Sequence, residues 1–296
     1  MGELISLFQS KNIFTRRDRR LVFLCGGPVS TRRRSFRKRL LHYAQASLHD
    51  FRFFLAEDAA RDIFAHGYPF FVNIAEFETL ISALADCVVV IPESPGSIAE
   101  LGYFSAHKPI RDKTLVVNDL NFQGDDSFLN LGPIELINRH SNYRPTLHFN
   151  LKDKSPNFRA IVKQLRRYEL DIRGHFEFKK YGQLPIRHRL FVVFEFIFLF
   201  GQISYEALEL AISFVFQGGR SLSDKHKREL RQLLSILCAG QYVQRLDHGV
   251  LLVPTPDVKP FLDISDSLRN SLRIKISDFA TRLSTRVRVP RKARSK

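Results

Sequence analysis

The chain has 296 residues, 44% of them apolar, and a formal charge of +16 from 46 Lys and Arg against 30 Asp and Glu. That length and apolar content exclude a disordered chain or a disulfide-built miniprotein and support one large or two modest cores. The charge favours acidic partners such as nucleic acid or nucleotide phosphates, with a merely solvated basic surface as the alternative. Cys25, Cys87 and Cys238 lie in apolar runs at no metal-ligand spacing, so they read as small core residues in a reducing compartment, and no metal site is expected. The first residues carry no signal pattern, and the most apolar window, Leu190 to Phe200, is too short to span a bilayer and contains Glu195. A cytoplasmic protein with no membrane contact is the expectation.

Residues 1–20 begin with a short apolar segment and end in Arg16-Arg-Asp-Arg-Arg20, a polar approach or an interaction arm ahead of a first strand, Leu21 to Cys25, after which Gly26-Gly27-Pro28 permits a tight turn. The turn is either a place where backbone meets a phosphate or ribose, or an ordinary strand-to-helix connection. Ser30 to Leu48 reads as a helix whose first half carries Arg32, Arg33, Arg34, Arg37, Lys38 and Arg39, which either face water or add guanidinium forks to an anion site. Phe51 to Leu55 is the second strand, with Glu57 and Asp58 beyond it as loop solubilisers or ribose-hydroxyl ligands. A short helix over Asp62 to Tyr68 follows, then a regular one over Asn73 to Ala85 with Ile74, Phe77, Leu80, Ile81 and Leu84 turned inward.

The stretch Asp86 to Ser105 organises what surrounds it. Cys87 to Ile91 is a β-branched run suited to a strand buried on both faces, and Pro92 ends it. Glu93 to Ser97 supplies turn residues, Ser97 is an N-cap candidate for a helix from Ile98, and Glu100 at N3 closes a capping box. Glu100 therefore has two readings, helix cap or a carboxylate at the ligand-binding edge of the sheet. A strand at Thr114 to Val117, a Gly-containing loop from Asp119 to Asp126, a short helix over Ser127 to Ile137 and a strand at Thr146 to Phe149 complete an alternation that implies a parallel, doubly wound sheet.

These patterns divide the chain into a catalytic α/β region over 1–150, a helical connector over 151–184 containing a helix from Phe158 to Leu170, and a second domain over 185–296. In that last domain helices over Ile186 to Phe200, Ser204 to Phe216 and Ser223 to Ala239 precede a hairpin turning at Asp247-His-Gly249, the order of a winged-helix-like α+β domain. Its third helix carries Lys225, Lys227, Arg228 and Arg231, matching a nucleic-acid recognition helix in place and charge, although many such folds make protein contacts instead. The basic tail from Arg282 to Lys296 suits phosphate contacts.

Ile91-Pro-Glu93 followed by Ala99-Glu-Leu-Gly-Tyr103 resembles the signature of the nucleoside 2-deoxyribosyltransferases, in which the Glu of Glu-Leu-Gly is the nucleophile. Leu24-Cys-Gly-Gly27, the Pro92 to Ser97 segment and the winged-helix-like region together resemble the deoxyribosyltransferase-like effectors of bacterial retron antiphage (toxin–antitoxin) systems. The resemblance implies a Rossmann-like fold, Glu100 as nucleophile, and Glu93 helping the departing base with a side chain one methylene longer than the transferases' Asp. It implies a substrate pocket drawn from Cys25, Gly26, Gly27, Glu57, Asp58, Ser94, Gly96 and Ser97, with Glu76 and Glu78 as candidates for a further transferase acid. It also implies restraint by a retron reverse transcriptase and its RNA-linked DNA (msDNA) in a higher-order complex.

Cleaving an N-glycosidic bond needs a carboxylate beside an oxocarbenium-like centre. A neutral base needs a proton to leave, whereas nicotinamide leaves NAD from a pyridinium that is already cationic. A single placed carboxylate therefore suits NAD as a substrate, with no resident cofactor, better than a bare nucleoside. A deoxyribosyltransferase and a non-catalytic nucleotide-sensing, DNA-binding regulator are the alternatives.

Overall fold

The computed structural model describes residues 2–9, 13–16, 20–29, 35–66, 73–167 and 173–274. The chain divides into a unit spanning Arg17–Ile172 and a second made of Met1–Arg16 with Arg173–Lys296. Both expected boundaries move: the first residues group with the C-terminal unit, and the expected connector helix belongs to the α/β unit. Helix α1 (Gly2–Gln9) and strand β1 (Phe14–Arg16) open the chain.

In the α/β unit, β2 (Arg20–Cys25), α2 (Phe36–Ser47), β3 (Phe51–Phe54), α3 (Ala56–Ala65), α4 (Ile74–Leu84), β4 (Cys87–Val90) and α5 (Pro95–Ala106) follow in sequence. Short α6 (Lys108–Arg111), β5 (Thr114–Asp119), a π-helical turn Asn130–Ile134 running into α7 (Glu135–His140), β6 (Leu147–Phe149) and α8 (Arg159–Arg167) complete it. The five strands form one sheet of order β3-β2-β4-β5-β6, and every neighbouring pair is parallel. The strand order reverses between β2 and β4, which opens a crevice beyond their carboxyl ends.

Strand alternation sends Val22, Leu24, Val89, Leu115 and Val117 to one face, where Phe36 and Leu40 of α2 and Ile161 and Leu165 of α8 cover them. On the other face Phe23 meets the Phe54 ring at 5.8 Å and the Phe104 ring of α5 at 6.2 Å. β4 is buried along its whole length, as its β-branched run demands. Asp86, just before β4, accepts from the Leu21 N–H at 2.9 Å, pinning the start of β4 to β2. The amphipathic stripe of α8 explains why the expected connector folds into this core: Ile161, Val162 and Leu165 are all buried.

Local starts differ from the sequence reading in three places. α2 begins at Phe36 with Ser35 as its cap, and Arg32, Arg33 and Arg34 lie outside the described residues. α3 begins at Ala56, so Glu57 and Asp58 sit in a first helical turn, where carboxylates favour the dipole, rather than in a loop. α5 begins at Pro95, three residues earlier than expected: Ser94 is the N-cap and forms a capping box with Ser97, and Pro95 has the φ a first helical position needs. On α4, Asn73 caps as its residue type suggests, but Ile74 is exposed rather than turned inward.

In the second unit, β7 (Arg173–His175), α9 (Ile186–Phe200), β8 (Ile203–Ser204), α10 (Tyr205–Gln217), α11 (Asp224–Ala239), β9 (Val243–Leu246), β10 (Leu251–Pro254) and β11 (Leu262–Asp263) follow. Antiparallel β8-β10-β9 and β11-β1-β7 form two small sheets. The hairpin turns where expected, with Asp247, His248 and Gly249 at positive φ. The short apolar segment at the start of the chain packs inward: Phe8 is fully buried and stacks on Phe196 at 5.5 Å. α9 is the centre of this core, and its one acid, Glu195, is matched by Arg269 at 3.0 Å. No helix among the described residues is long and apolar enough to cross a membrane.

Candidate active site

Three carboxylates and one guanidinium interact at the carboxyl ends of adjacent strands β3, β2 and β4. Glu57 comes from the first turn of α3, Glu78 from the middle of α4, and Glu100 from the second turn of α5. Arg37, on the first turn of α2, is buried and makes a forked ion pair with both Glu57 oxygens, while its Nε donates to the Gly27 carbonyl at 2.6 Å. The buried Cys25 thiol, last residue of β2, interacts with the Glu100 carboxylate, and Glu100 Oε2 is buried with no hydrogen-bond partner.

Such an arrangement cannot hold every carboxylate charged without cost. Burial raises the Glu100 carboxyl above its usual range, Arg37 and the Cys25 thiol oppose that rise, and Glu57 adds to it. Burial, with Glu100 and then Glu57 as like charges, pushes Glu78 up to about 7. Two carboxyls whose environments separate their protonation are the arrangement from which an acid–base pair is made. Burial first, then Glu57, also raises Asp58, whose Oδ1 accepts from the exposed Arg61 at 2.9 Å. Burial and the neighbouring acids push the Cys25 thiol well up, so it stays a donor rather than a thiolate.

α4 and α5 are joined beside this pair. The Tyr103 hydroxyl lies 2.9 Å from Thr79 Oγ1, which donates to the Ala75 carbonyl at 2.8 Å. Tyr103 is one turn beyond Glu100 and Thr79 is next to Glu78, so this bond sets how the two acids face each other.

The other expected site residues have different work. Glu93, expected to assist a departing base, has its carboxylate occupied by main chain: Oε1 accepts from Gly27 N at 3.0 Å and Arg37 N at 2.9 Å, and Oε2 from Phe36 N at 2.7 Å. It closes the open N-terminus of α2 and ties the Gly-Gly loop to it. Gly26 and Gly27 are required by those same side chains, since an added Cβ would stand 2.9 Å from Arg37 Cβ and 3.0 Å from Glu93 Cγ and Cδ. Arg37 therefore turns inward to Glu57, where the sequence offered it to an anion. Ser94 and Ser97 satisfy each other in the capping box, and Gly96 lies exposed between them. Glu76 is exposed and Glu78 is the acid that joins the site, a choice only the facing of α4 decides. No group of three metal-ligating side chains is found among the described residues.

On α11 of the second unit, Lys225 and Arg228 are exposed, whereas Lys227 pairs with Glu209 at 3.0 Å and Arg231 lies over the Tyr205 ring at 4.9 Å. The four expected recognition residues thus divide into two that face outward and two held by their own unit.

Among curated proteins, the chain is 27% identical to the Escherichia coli "Retron Ec73 putative ribosyltransferase/DNA-binding protein" over 244 residues, 75% of this chain and 73% of that protein. It is 31% identical to the Escherichia coli "Retron Ec86 putative ribosyltransferase/DNA-binding protein" over 151 residues, 50% of this chain and 48% of that protein. The family model described as STM3845 retron effector protein matches residues 33–245, a span that takes in Glu57, Glu78, Glu100 and α11, and the chain belongs to this retron effector family.

Proposed function

We propose that this retron effector is an N-glycosidase of the deoxyribosyltransferase type that cleaves NAD to nicotinamide and ADP-ribose as the toxic arm of antiphage defence. The observation that carries the reading is Glu100, a half-buried carboxylate whose Oε2 is buried and unpartnered, beside a second carboxyl that titrates near neutrality. An ionised oxygen of Glu100 attacks C1′ as the C1′–N bond breaks, and nicotinamide leaves neutral with the bonding electrons, so no acid is required on the departing base. Water then attacks C1′, Glu78 takes its proton, and the C1′–O bond to Glu100 breaks to release ADP-ribose and regenerate the carboxylate. Arg37 binds Glu57 and orients the floor of the site, while the Cys25 thiol lies beside Glu100.

The parallel sheet is read as a Rossmann-like, doubly wound transferase fold, and α9, β8, α10, α11 and the β9–β10 hairpin as a winged helix. In that reading Lys225 and Arg228 face the retron's msDNA, which with the reverse transcriptase holds the effector inactive in a higher-order complex in the cytoplasm. The relatives' names, which contain the word ribosyltransferase, favour one alternative, transfer of the sugar to an acceptor other than water.

Nucleotide profiling after induced expression tests this, comparing wild type with Glu100→Gln, with and without the reverse transcriptase and msDNA. Loss of NAD with appearance of nicotinamide and ADP-ribose in wild type alone is the expected result. Untouched NAD with free bases released from other nucleotides would refute the substrate, and equal toxicity of Glu100→Gln would refute the nucleophile.

A further inference from the structure

The outer face of α8 is almost wholly basic. Its exposed residues are Arg159, Ala160, Lys163, Arg166 and Arg167, while Ile161, Val162 and Leu165 are buried. Arg159, Lys163 and Arg167 recur every four residues, so they lie in one row with about 6 Å of helix rise between successive members. The row continues past the helix, because Arg167 Nη1 donates to the Arg144 carbonyl at 3.1 Å and Arg144 Nη1 to the Arg139 carbonyl at 2.9 Å.

Counter-charges are present for only part of this surface. Arg166 is matched bidentately by Asp50, at 3.1 and 2.9 Å, and Arg139 by Glu135 at 2.8 Å. Arg144, Arg159, Lys163 and Arg167 are exposed, and no carboxylate among the described residues pairs with them. Like charges four apart on a helix cost about 0.2–0.5 kcal/mol per pair, so the row carries a standing repulsion. An external anion removes that repulsion.

We infer that the row Arg159, Lys163, Arg167 and Arg144 on the α/β unit is a binding surface for the phosphodiester backbone of a nucleic acid, separate from α11. A strand presents regularly repeated charge with no need for an apolar anchor. A protein partner would be held by a buried aromatic or aliphatic anchor, and the exposed face of α8 offers only Ala160 besides its charges. The inference does not depend on the chemistry at Glu100.

The test is fluorescence anisotropy of the full chain with a fluorescein-labelled single-stranded DNA of mixed sequence, titrated across a range of KCl concentrations. Arg159→Gln/Lys163→Gln alters two side chains that make no hydrogen bond among the described residues, and a thermal melt confirms that the fold is kept. The slope of log affinity against log salt is expected to fall by about 1.4, two single-strand phosphate contacts' worth, with roughly tenfold weaker binding. Arg144→Gln/Arg167→Gln is expected to do the same, and the loss is expected to add to that of Lys225→Gln/Arg228→Gln on α11. An unchanged slope in both α8-row variants, with folding intact, overturns the inference. So does a loss seen with phosphatidylserine vesicles or with a polyglutamate peptide while DNA binding is unaffected.

Discussion

Replacing Glu93 by Ala leaves three main-chain N–H groups without their acceptor: Gly27, Phe36 and Arg37. A hydrogen bond to a charged acceptor contributes about 1.5–3 kcal/mol, and a carboxylate at a helix N-terminus adds about 0.3–1 kcal/mol. The end of α2 is partly open, so water recovers some of each bond, and a net loss of about 3 kcal/mol is expected. For a unit of this size that lowers its melting temperature by about 6–12 °C. Glu93→Gln keeps one acceptor oxygen but turns an amide N–H₂ toward a main-chain donor, so about 1–2 kcal/mol is expected. Circular-dichroism melts with hydrogen exchange over residues 26–40 provide the readout, and faster exchange should be confined to the Gly-Gly loop and the first turn of α2. If Glu93→Gln abolishes turnover while melting and exchange stay at wild-type values, the carboxylate acts on substrate and the structural assignment is refuted.

Two further predictions concern the acid pair. Glu78 titrates at about 7 in the folded chain against an ordinary 4.5, so the folded state binds the proton more tightly, and stability present below about 4.5 is lost as pH rises through about 7. Glu78→Gln should therefore melt higher than wild type at pH 8, by about 1–2 kcal/mol after allowance for solvent screening, while losing the limb of turnover that rises with pH near 7. A variant less stable than wild type at pH 8 would contradict the assigned protonation. Tyr103→Phe breaks the link to Thr79 and should lower kcat several-fold with little change in KM, moving the midpoint of that pH limb; an unmoved midpoint reduces Tyr103 to a packing residue.

The sequence by itself determined the elements whose information is local. The Cys87–Ile91 run reads as a doubly buried strand because β-branched residues without alternation suit nothing else of that length, and β4 is that strand. The hairpin turn at Asp247-His-Gly249 and the position of Glu100 beside the sheet's carboxyl edge were legible for the same reason. What only the tertiary structure decided was partnership. Phe8 and the three residues of β1 carry no mark saying that they complete the C-terminal unit, because their partners lie more than a hundred residues away. Glu76 and Glu78 are alike as letters, and the rotation of α4 exposes one and half-buries the other near Glu100. Glu93 looked like a catalytic acid by its neighbours in sequence, yet three unpaired N–H groups of a distant loop and helix claim its carboxylate. Gly26 and Gly27 looked like room for a ligand, and the room is filled by Arg37 and Glu93. Sequence periodicity reports which face of an element is buried, whereas the charge and hydrogen bonds of a site depend on side chains that only the folded chain brings within reach.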